Sequence, residues 1–170
     1  MTNRRTALIL AAAIFIVDQI MKWIVLNPVG LAYEGDSREL LPFFDLTLVY
    51  NEGVSLGLLS ADEAWQRWAL VALTGGIAAF VLRWLWKEEN RHDAIGLGMI
   101  FGGAVGNLLD RIRFGHVIDY ADLHFGTFRP FLVFNVADAA ITIGVLILLA
   151  RALFVRDKPA QNLSPESDNA

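Results

Sequence analysis

Residues 94–113 read AIGLGMIFGGAVGNLLDRIR, a run that stays apolar as far as Gly106 and then meets Asn107, Asp110, Arg111 and Arg113. A hydrocarbon core about 30 Å thick demands about 20 residues of helix, so the run has the length of one membrane crossing. Gly98, Gly102 and Gly106 recur every four residues and share one helical face. Small residues at that spacing let helices approach closely in lipid, where apolar burial alone gives little drive for association. Glycine is a weak helix former, but in a membrane no water competes for the backbone hydrogen bonds. The segment therefore predicts a membrane helix packed tightly inside a bundle.

Three further apolar runs, at about 7–26, 64–86 and 136–156, are of similar length. The expected fold class is membrane α-helical, with four transmembrane helices. Hydrophobic residues make up 55% of the 170 and charged residues 19%, at a mean hydropathy of +0.47, too apolar for a soluble domain of this size. A net charge of -4 leaves no basic footprint, which sets nucleic-acid binding aside. The absence of cysteine removes disulfides, thiolate metal sites and cysteine nucleophiles together. The first run follows Arg4 and Arg5 as a signal peptide would, but Asp18 and Lys22 stand where a small-residue cleavage site belongs, so the run is expected to be kept. Residues 1–156 are expected to form a single polytopic domain, and the polar residues 157–170 a disordered cytoplasmic tail.

Arg4 and Arg5, then Arg83, Lys87 and Arg91, then Arg151, Arg156 and Lys158 lie at one side of the four runs, and the positive-inside rule puts both termini in the cytoplasm. The segment from Asn27 to Glu63 falls on the opposite side and is acidic, with Arg38 its one basic residue. Within it FFDLTLVYN, residues 43–51, mixes aromatic and β-branched residues in partial alternation. That pattern predicts short strands, in an extracytoplasmic β-rich insertion at about 30–60 that rests on the outer membrane surface. A second outer segment, HVIDYADLHFGTFRPFLVFN at 116–135, carries aromatics suited to the interface. Arg111 and Arg113 break the charge rule at the outer end of the third run, an exception that implies a local partner.

Followed in these directions, the runs deliver Asp18 and Lys22 from the first helix, Asn107, Asp110 and Arg111 from the third, and Asn135 and Asp138 from the fourth to one depth near the outer face. A charge inside a span costs several kcal/mol, at least about 2.5 on the mildest scales, so a shared site is the economical explanation. Asp18 and Lys22, four apart, suit an internal ion pair. Arg111 suits either a carboxylate from another span or a lipid phosphate. Asp119 and Asp138 could act as general base and general acid on a water. They could equally be a solvated loop acid and a helix-capping carboxylate. His92, His116 and His124 show no metal-binding spacing, and Ser55 and Ser60 sit in no nucleophile motif. No cofactor and no metal are expected. A transporter relay through Asp18, Lys22 and Asp110 is a rival, although transporters keep such groups toward the midplane with access from both sides. An assembly subunit using its glycine face is another.

At these residues the chain resembles the bacterial lipoprotein signal peptidases, or signal peptidase II. The matching stretches are VDQIMK at 17–22, YNEGVSLGL at 50–58, GGAVGNLLDR at 102–111, HVIDY at 116–120 and FNVADAAITIG at 134–144, all in family order. The resemblance implies an intramembrane aspartyl protease of the cytoplasmic (inner) membrane, cleaving the signal peptide from prolipoproteins just before a diacylglyceryl-modified cysteine, with its site toward the outer leaflet. It implies Asp119 and Asp138 as the catalytic dyad. Asn51, Asn107, Asp110, Arg111 and Asn135 are implied to support the dyad or hold substrate, and Asp18 and Lys22 to be structural. The expected partners are the lipid-modified substrate and membrane lipids, and the expected state is a monomer. The resemblance also implies a β-cradle for the outer segment and a mobile half-helix between the third and fourth helices. Glu52, Val54 and Leu56 depart from the family's usual small, hydroxyl or aromatic residues.

Overall fold

Apolar runs bounded by polar caps become four helices, and the β-branched stretches between them become three strands. The computed structural model describes residues 3–53 and 64–154, in the order α1 (Asn3–Leu26), β1 (Ser37–Leu41), β2 (Phe44–Asn51), α2 (Ala64–Lys87), α3 (Arg91–Phe114), β3 (Val117–Leu123) and α4 (Val136–Phe154). All four helices are long and apolar enough to cross a membrane. Local caps set ends that hydropathy misses. The Asn90 side chain accepts hydrogen bonds from the backbone N–H groups of His92 and Asp93 and starts α3 ahead of its apolar run, while Gly115, at φ 90°, closes it in the left-handed conformation. The expectations for the tail at 157–170, for Ser55 and Ser60, for Val54 and Leu56 and for the end of the insertion lie outside the described residues.

Helix α3 is central and touches the other three helices. Its glycines are the reason it can. A Cβ on Gly98 would stand 2.6 Å from the Ala7 carbonyl oxygen, and one on Gly102 2.5 Å from that of Ala11, so α1 lies backbone to backbone against α3. At one end of the bundle Ala7, Val81, Leu85, Ala94, Leu97 and Ile100 pack together. At the other the small sheet sits on the end of α1.

The sheet is antiparallel in the order β1-β2-β3, with Val49 opposite Asp119 and Tyr50 opposite Ile118. Leu46, Leu48, Ile118, Tyr120 and Ala121 bury their side chains with Val25 and Leu31. The resemblance had implied a half-helix between the third and fourth helices. The structure corrects this, because residues 115–135 contain β3 and a return segment bridged back to it at Ala121 and Phe134, and no helix. VIDYADL favours a strand by composition, and two longer-range partners hold it there. Both ends of β2, Phe44–Leu46 and Val49–Asn51, pair along it across an irregularity, and Asp110 accepts a hydrogen bond from the Ile118 N–H at 3.3 Å.

Candidate active site

Asp119 projects from β3 and is 1% exposed. Its two oxygens have separate partners: Asn51 Nδ2 donates to Oδ2 at 3.0 Å, and Asn135 Nδ2 donates to Oδ1 at 2.6 Å. Asn51 does double duty, since its Oδ1 also accepts from the Gly53 N–H and so shapes the turn leaving β2. Asp138 lies in the first turn of α4, where a helix N-terminus favours a carboxylate. Its Oδ1 accepts from Asn107 Nδ2 at 2.7 Å and its Oδ2 from the Asn135 N–H at 3.2 Å, while the Asp138 N–H donates to Asn135 Oδ1 at 2.8 Å. This reciprocal pair is a capping box that starts α4. Asn135 therefore caps the helix through its Oδ1 and holds Asp119 through its Nδ2.

Beneath the two aspartates lies a buried charge cluster. Lys22 Nζ stands 2.8 Å from Asp18 Oδ2 and 2.6 Å from Asp110 Oδ2, with all three side chains at most 3% exposed. Lys22 also donates to Asn107 Oδ1 at 3.2 Å, which joins this cluster to Asp138. Asp18 accepts from the Ala137 N–H at 3.0 Å, so the acid of α1 helps to cap α4. Arg111, expected to find a carboxylate or a phosphate, forms no ion pair among the described residues. Its Nε is buried without a hydrogen-bond partner, and the guanidinium lies beside Gly53 within the field of Asp138, Asp119 and Asp110.

Burial, and next the charge of Asp138, push the Asp119 carboxyl up to about 7, against the opposing pull of the Asn51 and Asn135 hydrogen bonds. Two cavities meet here. One of about 490 Å³ reaches Asp119 between Glu34, Asn51, Glu52 and the 132–133 backbone segment. The other, about 290 Å³ and almost wholly apolar, runs along α4 from Asp138 past Ala139, Thr142 and Ile143 beneath Phe131 and Phe134. Leu132 lines both. Among the described residues no group of three His, Asp or Glu side chains is disposed to hold a metal ion.

The sequence reading missed Arg67, whose Nε donates to the Arg111 carbonyl at 2.9 Å and whose Nη2 bonds that of Ile112, capping α3 just where Arg111 leaves it. The charge rule that singled out Arg111 and Arg113 applies equally to Arg67, a basic residue at the outer end of α2. It also missed Gln19, which donates to Asp110 Oδ1 at 3.1 Å.

The family model for signal peptidase (SPase) II matches residues 10–154. The chain belongs to the signal peptidase II family. It is 52% identical over 157 residues to the lipoprotein signal peptidase of Sphingopyxis alaskensis, covering 92% of this chain and 90% of that one. It is also 52% identical over 155 residues to that of Rhizorhabdus wittichii, covering 90% of each. A solved structure described as a bacterial membrane enzyme, determined in meso at 1.9 Å, superposes with a TM-score of 0.77 at 28% identity, covering 89% of this chain and 94% of the other. As a signal peptidase II, the protein is a multi-pass membrane peptidase of the family that cleaves signal peptides from prolipoproteins.

Proposed function

We propose that this peptidase is of the aspartic type and works through Asp119 and Asp138, cutting a prolipoprotein just before its diacylglyceryl-modified cysteine. The observation that carries the reading is the pairing itself. Two carboxylates from different elements are linked through one asparagine, and the more buried one is pushed toward neutrality by burial and by the other's charge.

In the proposed reaction Asp119 begins protonated, and Asp138 takes a proton from a water between them as that water attacks the scissile carbonyl carbon. Asp119 donates its proton to the carbonyl oxygen, giving a tetrahedral intermediate. Collapse breaks the C–N bond, the amine leaves with the proton held by Asp138, and Asp119 recovers its own. Arg111 supplies fixed positive charge within the field of Asp138 and Asp119, where it steadies the ionised carboxylate of the pair. Asn51, Asn107 and Asn135 hold the carboxylates, and the Asp18, Lys22 and Asp110 cluster supports them from below. The reading includes a monomer in the cytoplasmic membrane, both termini in the cytoplasm, the site toward the outer leaflet and surrounding lipids in contact with the substrate chains.

The test uses purified protein in detergent with a diacylglyceryl-modified precursor. Asp119→Asn and Asp138→Asn should each release no signal peptide while keeping the helical content of the parent. Full cleavage by either variant sinks the assignment.

A further inference from the structure

Strands β2 and β3 set two acids side by side, with Asp45 opposite Asp122. Like charges that face each other across a sheet are destabilising, so each acid calls for a basic partner. Both partners come from the residues just after β3. His124 Nε2 stands 3.2 Å from Asp45 Oδ2, and Arg129 Nε donates to Asp122 Oδ1 at 3.0 Å and to its Oδ2 at 3.1 Å. The Asp122 side chain is 3% exposed, and its other donor among the described residues, Thr47 Oγ1, is distant at 3.4 Å. An ion pair between two exposed groups holds little, but a buried carboxylate stripped of its cation is strongly disfavoured. The acid therefore fixes Arg129 in place, although the Arg129 side chain is itself 54% exposed. Arg129 opens a strap. Among the described residues the backbone of 129–133 makes no hydrogen bond, and the segment is held at its two ends. Arg129 holds one, and Phe134 holds the other by exchanging backbone hydrogen bonds with Ala121 at 2.7 and 3.1 Å. Between them Phe131, Leu132 and Val133 line the two cavities that meet at the aspartates, Leu132 lining both.

We propose that the Arg129–Asp122 pair is a clasp that seats this strap against the acyl chains of the bound precursor, which makes Arg129 a positioning residue for substrate affinity. The inference rests on the reading of Asp119 and Asp138 as the dyad. Cleavage just before the lipid-modified cysteine puts the diacylglyceryl group next to Asp138, where the almost wholly apolar cavity along α4 begins. Phe131 and Leu132 are the strap residues that wall that cavity. Arg129 lines neither cavity and acts through the strap, so the dyad chemistry does not pass through it.

Two measurements on the full chain in detergent test the proposal: amide hydrogen exchange, which reads the clasp, and cleavage kinetics, which read its effect on substrate. Arg129→Gln should speed exchange at the Ala121 and Phe134 amides, which bond across the bridge, while the four helices exchange as in the parent. On a precursor with long acyl chains it should raise KM about three- to tenfold at little-changed kcat. Arg129→Lys keeps the charge but not the planar fork and should fall between the two. Because both partners act through one contact, adding Asp122→Asn to Arg129→Gln should raise KM no further than either change alone. On a precursor of the same sequence with short acyl chains, the KM difference between Arg129→Gln and the parent should shrink. Unchanged exchange at the bridge overturns the clasp, and faster exchange at unchanged KM overturns its part in affinity. An equal rise in KM on long and short chains overturns the acyl contact. Should Arg129→Gln loosen the helices as well, Arg129→Lys carries the same comparisons. Failure of the parent to cleave either precursor strikes the dyad reading instead and leaves the exchange result standing.

Discussion

Asp119 carries a measurable consequence of its surroundings. Its carboxyl is raised to about 7, chiefly by burial, from 3.8 in an unfolded chain. The folded state thus binds more protons between those values. The contribution of this group favours folding below about pH 4 and is lost as the pH rises through about 7. Asp119→Asn, which mimics the neutral acid, should flatten the pH dependence of thermal unfolding in detergent over that window and melt higher than the parent on its alkaline side. The same titration should give kcat/KM an alkaline limb near pH 7, as the proposed acid loses its proton. A rate that climbs steadily past that point would contradict Asp119 as donor. Spacing alone could not choose these residues. Asp138 does cap a helix, so the bland reading of it is true, and what adds to it is the path through Asn135 to Asp119, which no local pattern records.

The elements meet through two devices of different kind. The first is electrostatic: Lys22 of α1 binds Asp18 of its own helix and Asp110 of α3, and these acids in turn hold Ala137 of α4 and Ile118 of β3. Lys22→Met leaves two buried carboxylates without their cation. It should destabilise the fold by about 3–5 kcal/mol, read as a lowered unfolding midpoint in detergent. The second is steric. Gly102→Ala puts a methyl into the backbone of Ala11 and should lower thermal stability, whereas Gly76→Ala meets nothing within 4 Å and should leave it unchanged or slightly raised. Equal melting of the two alanine variants would argue against close α1–α3 contact. The glycine face was legible because a four-residue period is local. Strand β3 was harder to see, because its partner β2 lies about 70 residues earlier and only tertiary pairing makes 117–123 a strand.

At the scale of the molecule, the four helices were legible from hydropathy because lipid permits few alternatives to a spanning helix. The residues proposed for the site were read from family motifs, and Arg67 was not, since its bonds to the Arg111 and Ile112 carbonyls lie outside those motifs. The proposed orientation has a direct test in a chain without cysteine. A single cysteine at Glu34 should react with an impermeant maleimide in intact cells, and one at Glu89, in the α2–α3 turn, only after permeabilisation. The reverse pattern would invert the topology. One feature of α4 bears on how such an enzyme is kept harmless during biogenesis. The proposed catalytic carboxylate of Asp138 also caps its own helix, and it is held by Asn107 of α3, which Lys22 of α1 backs, and by Asn135, which also holds Asp119 of β3. On the proposed assignment, a chain whose last helix has not docked would hold its two aspartates apart, so activity would arise only with the finished bundle.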